Sequence, residues 1–132
     1  MAENATVGLV LISHSRQLAE GAADVAAQVS GGAVRIVGVG GTPDGALGTS
    51  LEALEWAVEK VSSDLGVLII PDLGSSVLTA KSYLADKTGT SVRLVDAPFV
   101  EGAVAAAVAA SGGAPLGDVA AAAEEARDVR KL

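Results

Sequence analysis

Thr6 to Ile12 (TVGLVLI) is an unbroken apolar run with polar neighbours, the pattern of a strand buried on both faces of a parallel sheet. It stops at Ser13-His14-Ser15. From Arg16 to about Val29 the pattern changes period: Leu18, Ala22, Val25, Ala26 and Val29 fall on one helical stripe, and Arg16, Glu20, Asp24 and Gln28 on the other side. Gly31-Gly32 ends that helix, and Ala33 to Val39 (AVRIVGV) predicts a second strand. The stretch Gly40 to Gly48 is too rich in Gly and Pro for a regular element and reads as a long loop. Thr49 followed by Glu52 has capping-box spacing, and Leu51, Leu54, Val58 and Val61 mark the buried stripe of a second helix. Trp56 falls off that stripe, on an edge or a partner surface.

Gly66 to Pro71 (GVLIIP) predicts a third buried strand, followed by Asp72-Leu73-Gly74-Ser75-Ser76. A serine cap there starts a helix with Val77, Ala80 and Leu84 on one face, running to about Lys87. Ser91 to Val95 is a shorter fourth strand, and an Ala-rich helix follows the loop Asp96 to Gly102. After a break at Gly112-Gly113, a last helix begins near Pro115 with Val119, Ala122, Ala126 and Val129 as its stripe. Strands alternating with helix-length connections imply parallel pairing and right-handed crossovers. The expected architecture is therefore one α/β domain over residues 1–132, doubly wound and flavodoxin-like, with four strands in the order 2-1-3-4 and helices on both faces. Winding reverses between the first and third strands, so His14 and Asp72, 58 positions apart, are expected to meet at the crevice opened there.

Composition narrows the chemistry. No apolar stretch approaches the roughly 20 residues a bilayer needs, and Met1-Ala2-Glu3-Asn4 lacks a cationic leader, so a cytoplasmic location and no membrane contact are expected. No cysteine and a single histidine leave no disulfide, no thiolate chemistry and only carboxylate-rich metal sites, and no metal is expected. A net charge of −7 with nine scattered cations argues against a nucleic-acid surface.

His14 beside a carboxylate allows three roles: general base, metal ligand or phosphoryl acceptor. A hydrolase would need a nucleophile elbow of the Gly-x-Ser-x-Gly type, which is absent, and only Asp72, Asp96 and Glu101 lie near the expected rim for a metal. A phosphohistidine needs one ring nitrogen held by an acceptor, expected to be Asp72, and anion donors, expected at Gly74, Ser75 and Ser76 on the start of the third helix. Ser13, Ser15, Arg16 and Thr49 are further candidates, Arg16 being read as the start of a solvated helix face ahead of a phosphate contact. Asp72 also suits a plain helix N-cap, Gly40 to Gly48 an ordinary connection, and Glu101 a structural or interface role.

Val10-Leu11-Ile12-Ser13-His14-Ser15, Gly48-Thr49-Ser50, Asp72-Leu73-Gly74-Ser75-Ser76 and Ala97-Pro98-Phe99-Val100-Glu101-Gly102 together resemble the phosphotransferase subunit of phosphoenolpyruvate-dependent dihydroxyacetone kinase. That family is related to the mannose-type enzyme IIA domains of the sugar phosphotransferase system, whose third-strand loop usually reads Asp-x-x-Gly-Gly-Ser-Pro; this chain departs from that form. The resemblance implies a phosphotransferase that takes phosphoryl from HPr onto His14; with Asp72 expected to orient the ring by pairing with one nitrogen, the outer Nε2 (tele) nitrogen is the expected acceptor. The phosphotransferase then passes the group to ADP on a separate nucleotide-binding kinase subunit, in support of dihydroxyacetone phosphorylation. The resemblance also implies a homodimer, no cofactor bound here, and ADP/ATP with Mg on the partner; some members carry fused HPr and enzyme I domains, and neither is expected in residues 1–132. A mannose-type sugar relay and a non-catalytic flavodoxin-like ligand-binding module are the alternative readings.

Overall fold

A computed structural model describes residues 5–85, 87 and 91–132. Its elements alternate in chain order as β1 (Gly8–Ser13), α1 (Arg16–Val29), β2 (Ile36–Gly40), α2 (Leu51–Val61), β3 (Val67–Pro71), α3 (Gly74–Ala85), β4 (Val92–Leu94), α4 (Phe99–Ser111) and α5 (Leu116–Glu125). A 3-10 turn at Ala126–Asp128 follows. All strands are parallel in the order β2-β1-β3-β4, as the hydrophobic runs require. The flavodoxin-like, doubly wound reading thus describes the molecule. Each strand is shorter than its apolar run.

The two central strands feed two cores. Leu9 and Leu11 of β1 with Leu68 and Ile70 of β3 pack under Ala22, Ala23 and Ala26 of α1, Ala103, Ala106, Ala107 and Ala110 of α4, and Val119 and Ala123 of α5. The alternate residues Val10, Ile12, Val67 and Ile69 meet Leu54, Ala57, Val58 and Val61 of α2 and Ala80 and Tyr83 of α3. Two-sided burial explains why β1 and β3 read as continuous apolar runs rather than alternating ones.

Helix α1 has its expected bounds but a different buried face. Ala19, Ala22, Ala23 and Ala26 face the sheet, whereas Leu18, Val25 and Val29, expected inside, are 45%, 46% and 56% exposed. The cause is close approach to β2: a Cβ on Gly38 would stand 2.3 Å from the Ala19 carbonyl oxygen, so only small side chains fit beneath the helix. Similarly, a Cβ on Gly8 would stand 2.0 Å from the Val61 carbonyl oxygen, which seats the end of α2 on β1.

Three further expectations are corrected. The cap of α2 is Ser50, whose hydroxyl accepts from the Ala53 amide at 3.2 Å, rather than Thr49, and Leu51 lies largely outside the core. On α3 the buried positions are Ser76, Ala80 and Tyr83, with Val77 and Leu84 only half-buried. At the C-terminus α5 gives way to the 3-10 turn, so Val129 leaves the helical register and is exposed, and Ala122 is half-buried. Residue 86, inside the stretch expected to close the third helix, and Met1 to Asn4 lie outside the described residues.

Candidate functional site

β1 and β3 are neighbours across the switch point, so the residues following them meet. Ser13, fully buried at the end of β1, donates its hydroxyl to Asp72 Oδ2 at 2.6 Å. The His14 amide donates to both Asp72 carboxylate oxygens at 3.2 Å, and the Leu73 amide and the buried Ser76 hydroxyl donate to Oδ1 at 2.6 and 2.7 Å. Partial burial pushes the Asp72 carboxyl up, but the hydrogen bonds from Ser13, Ser76, Leu73 and His14 outweigh that push and hold its pKa below the ordinary value. Asp72 is thereby the cross-link between the ends of β1 and β3, and it grips His14 by the backbone.

The ring of His14 has a different partner. Its Nδ1 lies 3.3 Å from Ser75 Oγ, on the first turn of α3. The expected pairing of Asp72 with a ring nitrogen is replaced by this serine, because the carboxylate is already occupied by two hydroxyls and two amides. Ser76, expected as an anion donor, spends its hydroxyl on Asp72. Gly74 opens α3 with open space where a side chain would stand, and the amides of Gly74, Ser75 and Ser76 find no acceptor among the described residues. Three free N–H groups on a 12-residue helix, beside a histidine ring held by that helix, form an anion-attracting turn.

The remaining candidates support this arrangement from the side. Ser15 caps α1, its hydroxyl accepting from the Leu18 amide at 3.3 Å, and its own amide donates to Ser13 Oγ at 2.9 Å. Thr49 is tied to α3: its hydroxyl pairs with that of Thr79 at 2.6 Å and donates to the Ser75 carbonyl at 3.4 Å. Arg16 opens α1 and lines the cleft of Gly40 to Thr42. The Gly40 to Gly48 loop is built rather than slack. Thr42 donates to Asp44, which together with the Ala46 amide lowers the Asp44 pKa, and the Thr42 amide donates to the Ala46 carbonyl at 2.8 Å. Gly48, at φ +139°, then donates its amide to the His14 carbonyl at 2.8 Å. The role of Thr79 carries no sequence signal, as it is a polar residue inside a helix, and Gly48 is visible only as part of the Gly48-Thr49-Ser50 block.

Glu101 is structural in this setting, bridged to Lys131 at 2.7 Å, and the Lys131 hydrogen bond lowers its pKa. Among the described residues no group of three or more His, Asp or Glu side chains is placed to hold a metal, and no helix is long and apolar enough to cross a membrane.

Comparison with known proteins converges on one group. The family model of the PTS system fructose IIA component, EIIA-man, matches residues 8–120. A Listeria innocua protein named as the phosphoryl donor subunit of PEP-dependent dihydroxyacetone kinase 2 is 33% identical over 105 residues, covering 77% of this chain and 84% of its own. The Escherichia coli subunit of the same kind is 36% identical over 119 residues, of which this chain spans 25% of the full length. A solved protein of unknown function superposes with a TM-score of 0.79 at 32% identity, over 90% of this chain and 93% of its own. A sigma-54 interaction domain protein from Enterococcus faecalis, 20% identical with a TM-score of 0.65, shares the fold.

Proposed function

We propose, from the premise that this chain belongs to the EIIA-man family of the phosphotransferase system, that it is the phosphocarrier of a phosphoenolpyruvate-dependent dihydroxyacetone kinase. The relatives named as phosphoryl donor subunits of that kinase support the choice of branch. The observation that carries the chemistry is the His14 ring, placed at the switch point with Nδ1 on Ser75 and with the free amides of α3 beside it.

In this reading Nδ1–H is donated to Ser75 Oγ, which leaves the lone pair on Nε2 as the nucleophile. Nε2 attacks the phosphorus carried by HPr; a new N–P bond forms as the donor's N–P bond breaks, and the donor histidine keeps the electron pair. In the second transfer a terminal phosphate oxygen of ADP, bound with Mg on a separate kinase subunit, attacks the same phosphorus. The P–Nε2 bond breaks, ATP forms there and neutral His14 is regenerated. Phosphoryl transfer asks mainly for positioning and charge stabilisation. Asp72 fixes the backbone of His14, Ser75 fixes the ring, and the amides of Gly74, Ser75 and Ser76 offset the charge on the phosphoryl oxygens. The working unit is a homodimer.

Incubation with phosphoenolpyruvate, enzyme I and HPr is expected to label the protein with acid-labile phosphate, and His14→Ala to abolish the label. Label persisting in that variant defeats the assignment. The fructose IIA description of the family model favours a second reading, a sugar-transport relay. Adding the ADP-loaded kinase subunit separates the two: release of label to ADP supports the kinase branch, and retention supports the sugar relay.

A further inference from the structure

The serine that holds the His14 ring sits on a lightly packed turn. Ser75 is exposed, Gly74 before it has open space where a side chain would stand, and the buried side chains of α3 are Ser76, Ala80 and Tyr83. Apolar packing therefore fixes the far half of α3 better than its first turn. Apart from the histidine itself, two side-chain tethers hold that turn among the described residues. One is the Ser76 hydroxyl on Asp72. The other comes from the loop before α2: the Thr49 hydroxyl donates to the Ser75 carbonyl at 3.4 Å and lies 2.6 Å from the Thr79 hydroxyl.

Proton counting gives the second tether a direction. A hydroxyl carries one proton. Thr49 spends its own on the Ser75 carbonyl, which cannot donate, so the bond between the two threonines runs from Thr79 to Thr49. A threonine inside a helix commonly sends its hydroxyl back to the carbonyl four residues earlier, and for Thr79 that carbonyl belongs to Ser75. No such bond is formed among the described residues; half-buried Thr79 instead reaches a residue 30 positions away in sequence. The same stretch of loop holds the other half of the pair. The Gly48 amide donates to the His14 carbonyl at 2.8 Å, and Ser50 caps α2. Gly48 and Thr49 thus span from the backbone of His14 to the backbone of Ser75.

We propose that Thr79 is a positioning residue for phosphoryl acceptance: it turns the Thr49 hydroxyl onto the Ser75 carbonyl and so keeps Ser75 Oγ at the 3.3 Å that holds His14 Nδ1. The kinetic consequence rests on the phosphocarrier reading; the effect on the histidine ring does not.

Thr79→Val keeps the side-chain shape and removes the hydroxyl. It is expected to lower the Nδ1–H fraction of unphosphorylated His14 in nitrogen NMR and to slow phosphoryl acceptance about fivefold, the equivalent of one lost hydrogen bond. Thr79→Ser, which keeps the donor, is expected to restore both. Because Thr79 works through Thr49, the double variant Thr49→Val with Thr79→Val is expected to be no slower than Thr49→Val alone. Single effects that multiply in the double variant overturn the proposal, as does a folded Thr79→Val with the parent's tautomer ratio and rate. Should Thr79→Val fail to fold by circular dichroism, Thr79→Ala carries the same expectations. A parent protein that takes no label defeats the phosphocarrier reading instead, and the tautomer ratios of parent, Thr79→Val and Thr79→Ser then decide the proposal by themselves.

Discussion

Asp72 receives two hydroxyls and two amides, so its charge matters to the fold before it matters to any reaction. Its folded pKa lies below the unfolded value, and the carboxylate therefore stabilises the native state fully above the ordinary range near 3.9. That contribution fades as pH falls from there through the folded pKa. Asp72→Asn is expected to cost about 1–2 kcal/mol at pH 7, the partly exposed setting keeping it at the low end. Urea unfolding as a function of pH checks this: the gap between parent and variant narrows on acidification, and a gap that is constant from pH 7 to 3 refutes the role given to the carboxylate. Ser75 separates ring from backbone. Ser75→Ala is expected to leave stability nearly unchanged, to lower the Nδ1–H fraction seen by nitrogen NMR and to slow phosphoryl acceptance about fivefold, the equivalent of one lost hydrogen bond. Sequence brought His14 and Asp72 together through topology alone. It assigned the wrong atoms, because which acceptor meets a ring nitrogen depends on how many donors the carboxylate has already taken, and those come from residues separated along the chain.

At the scale of elements, the strands and most helices were legible because burial on both faces writes an unbroken apolar run and helices write a 3.6-residue period; α4 reads shorter than it is, since Phe99 to Gly102, expected as loop, form its first turn. The buried face of α1 was not legible. Hydrophobicity favours the larger side chains, yet the space above Gly38 admits only alanine, and that constraint sits in another element. Gly38→Ala is accordingly expected to cost about 1–3 kcal/mol by forcing α1 off the sheet, measured by thermal or urea unfolding; an unchanged midpoint would show that the helix rides higher than described. A similar ambiguity arose at α2, where Thr49 and Ser50 are adjacent and both able to cap. The backbone decides: Ser50 is extended at φ −131°, ψ 124° with its hydroxyl on Ala53, and Thr49 is left to pair with Thr79. Ser50→Ala is expected to destabilise the protein by about 1 kcal/mol as a lost cap. Thr49→Val, which removes the hydroxyl bonded to Thr79 and to the Ser75 carbonyl, is expected to act on phosphoryl acceptance in the labelling reaction more than on the unfolding midpoint.

For the molecule as a whole, β1 and β3 both contribute to the two cores, and β1 is the one that ends in the histidine. Leu9 and Leu11 point to the α1, α4 and α5 side, Val10 and Ile12 to the α2 and α3 side, and the next two residues are Ser13 and His14. Neither helical layer can leave without exposing one face of this strand, so the two cores are expected to unfold as a single unit. Leu11→Ala and Ile12→Ala sample opposite layers, and each is expected to cost about 2–5 kcal/mol as a cavity in a close-packed site. The diagnostic quantity is the slope of urea unfolding, which scales with the surface exposed. If the layers are one unit, Trp56 emission, which samples the α2 side, and circular dichroism, which samples all helices, give the same midpoint and slope in both variants. Separate transitions would mean that the α1, α4 and α5 layer can loosen alone. The support of His14 would then come from the Asp72 cross-link and α3, not from the strand it terminates.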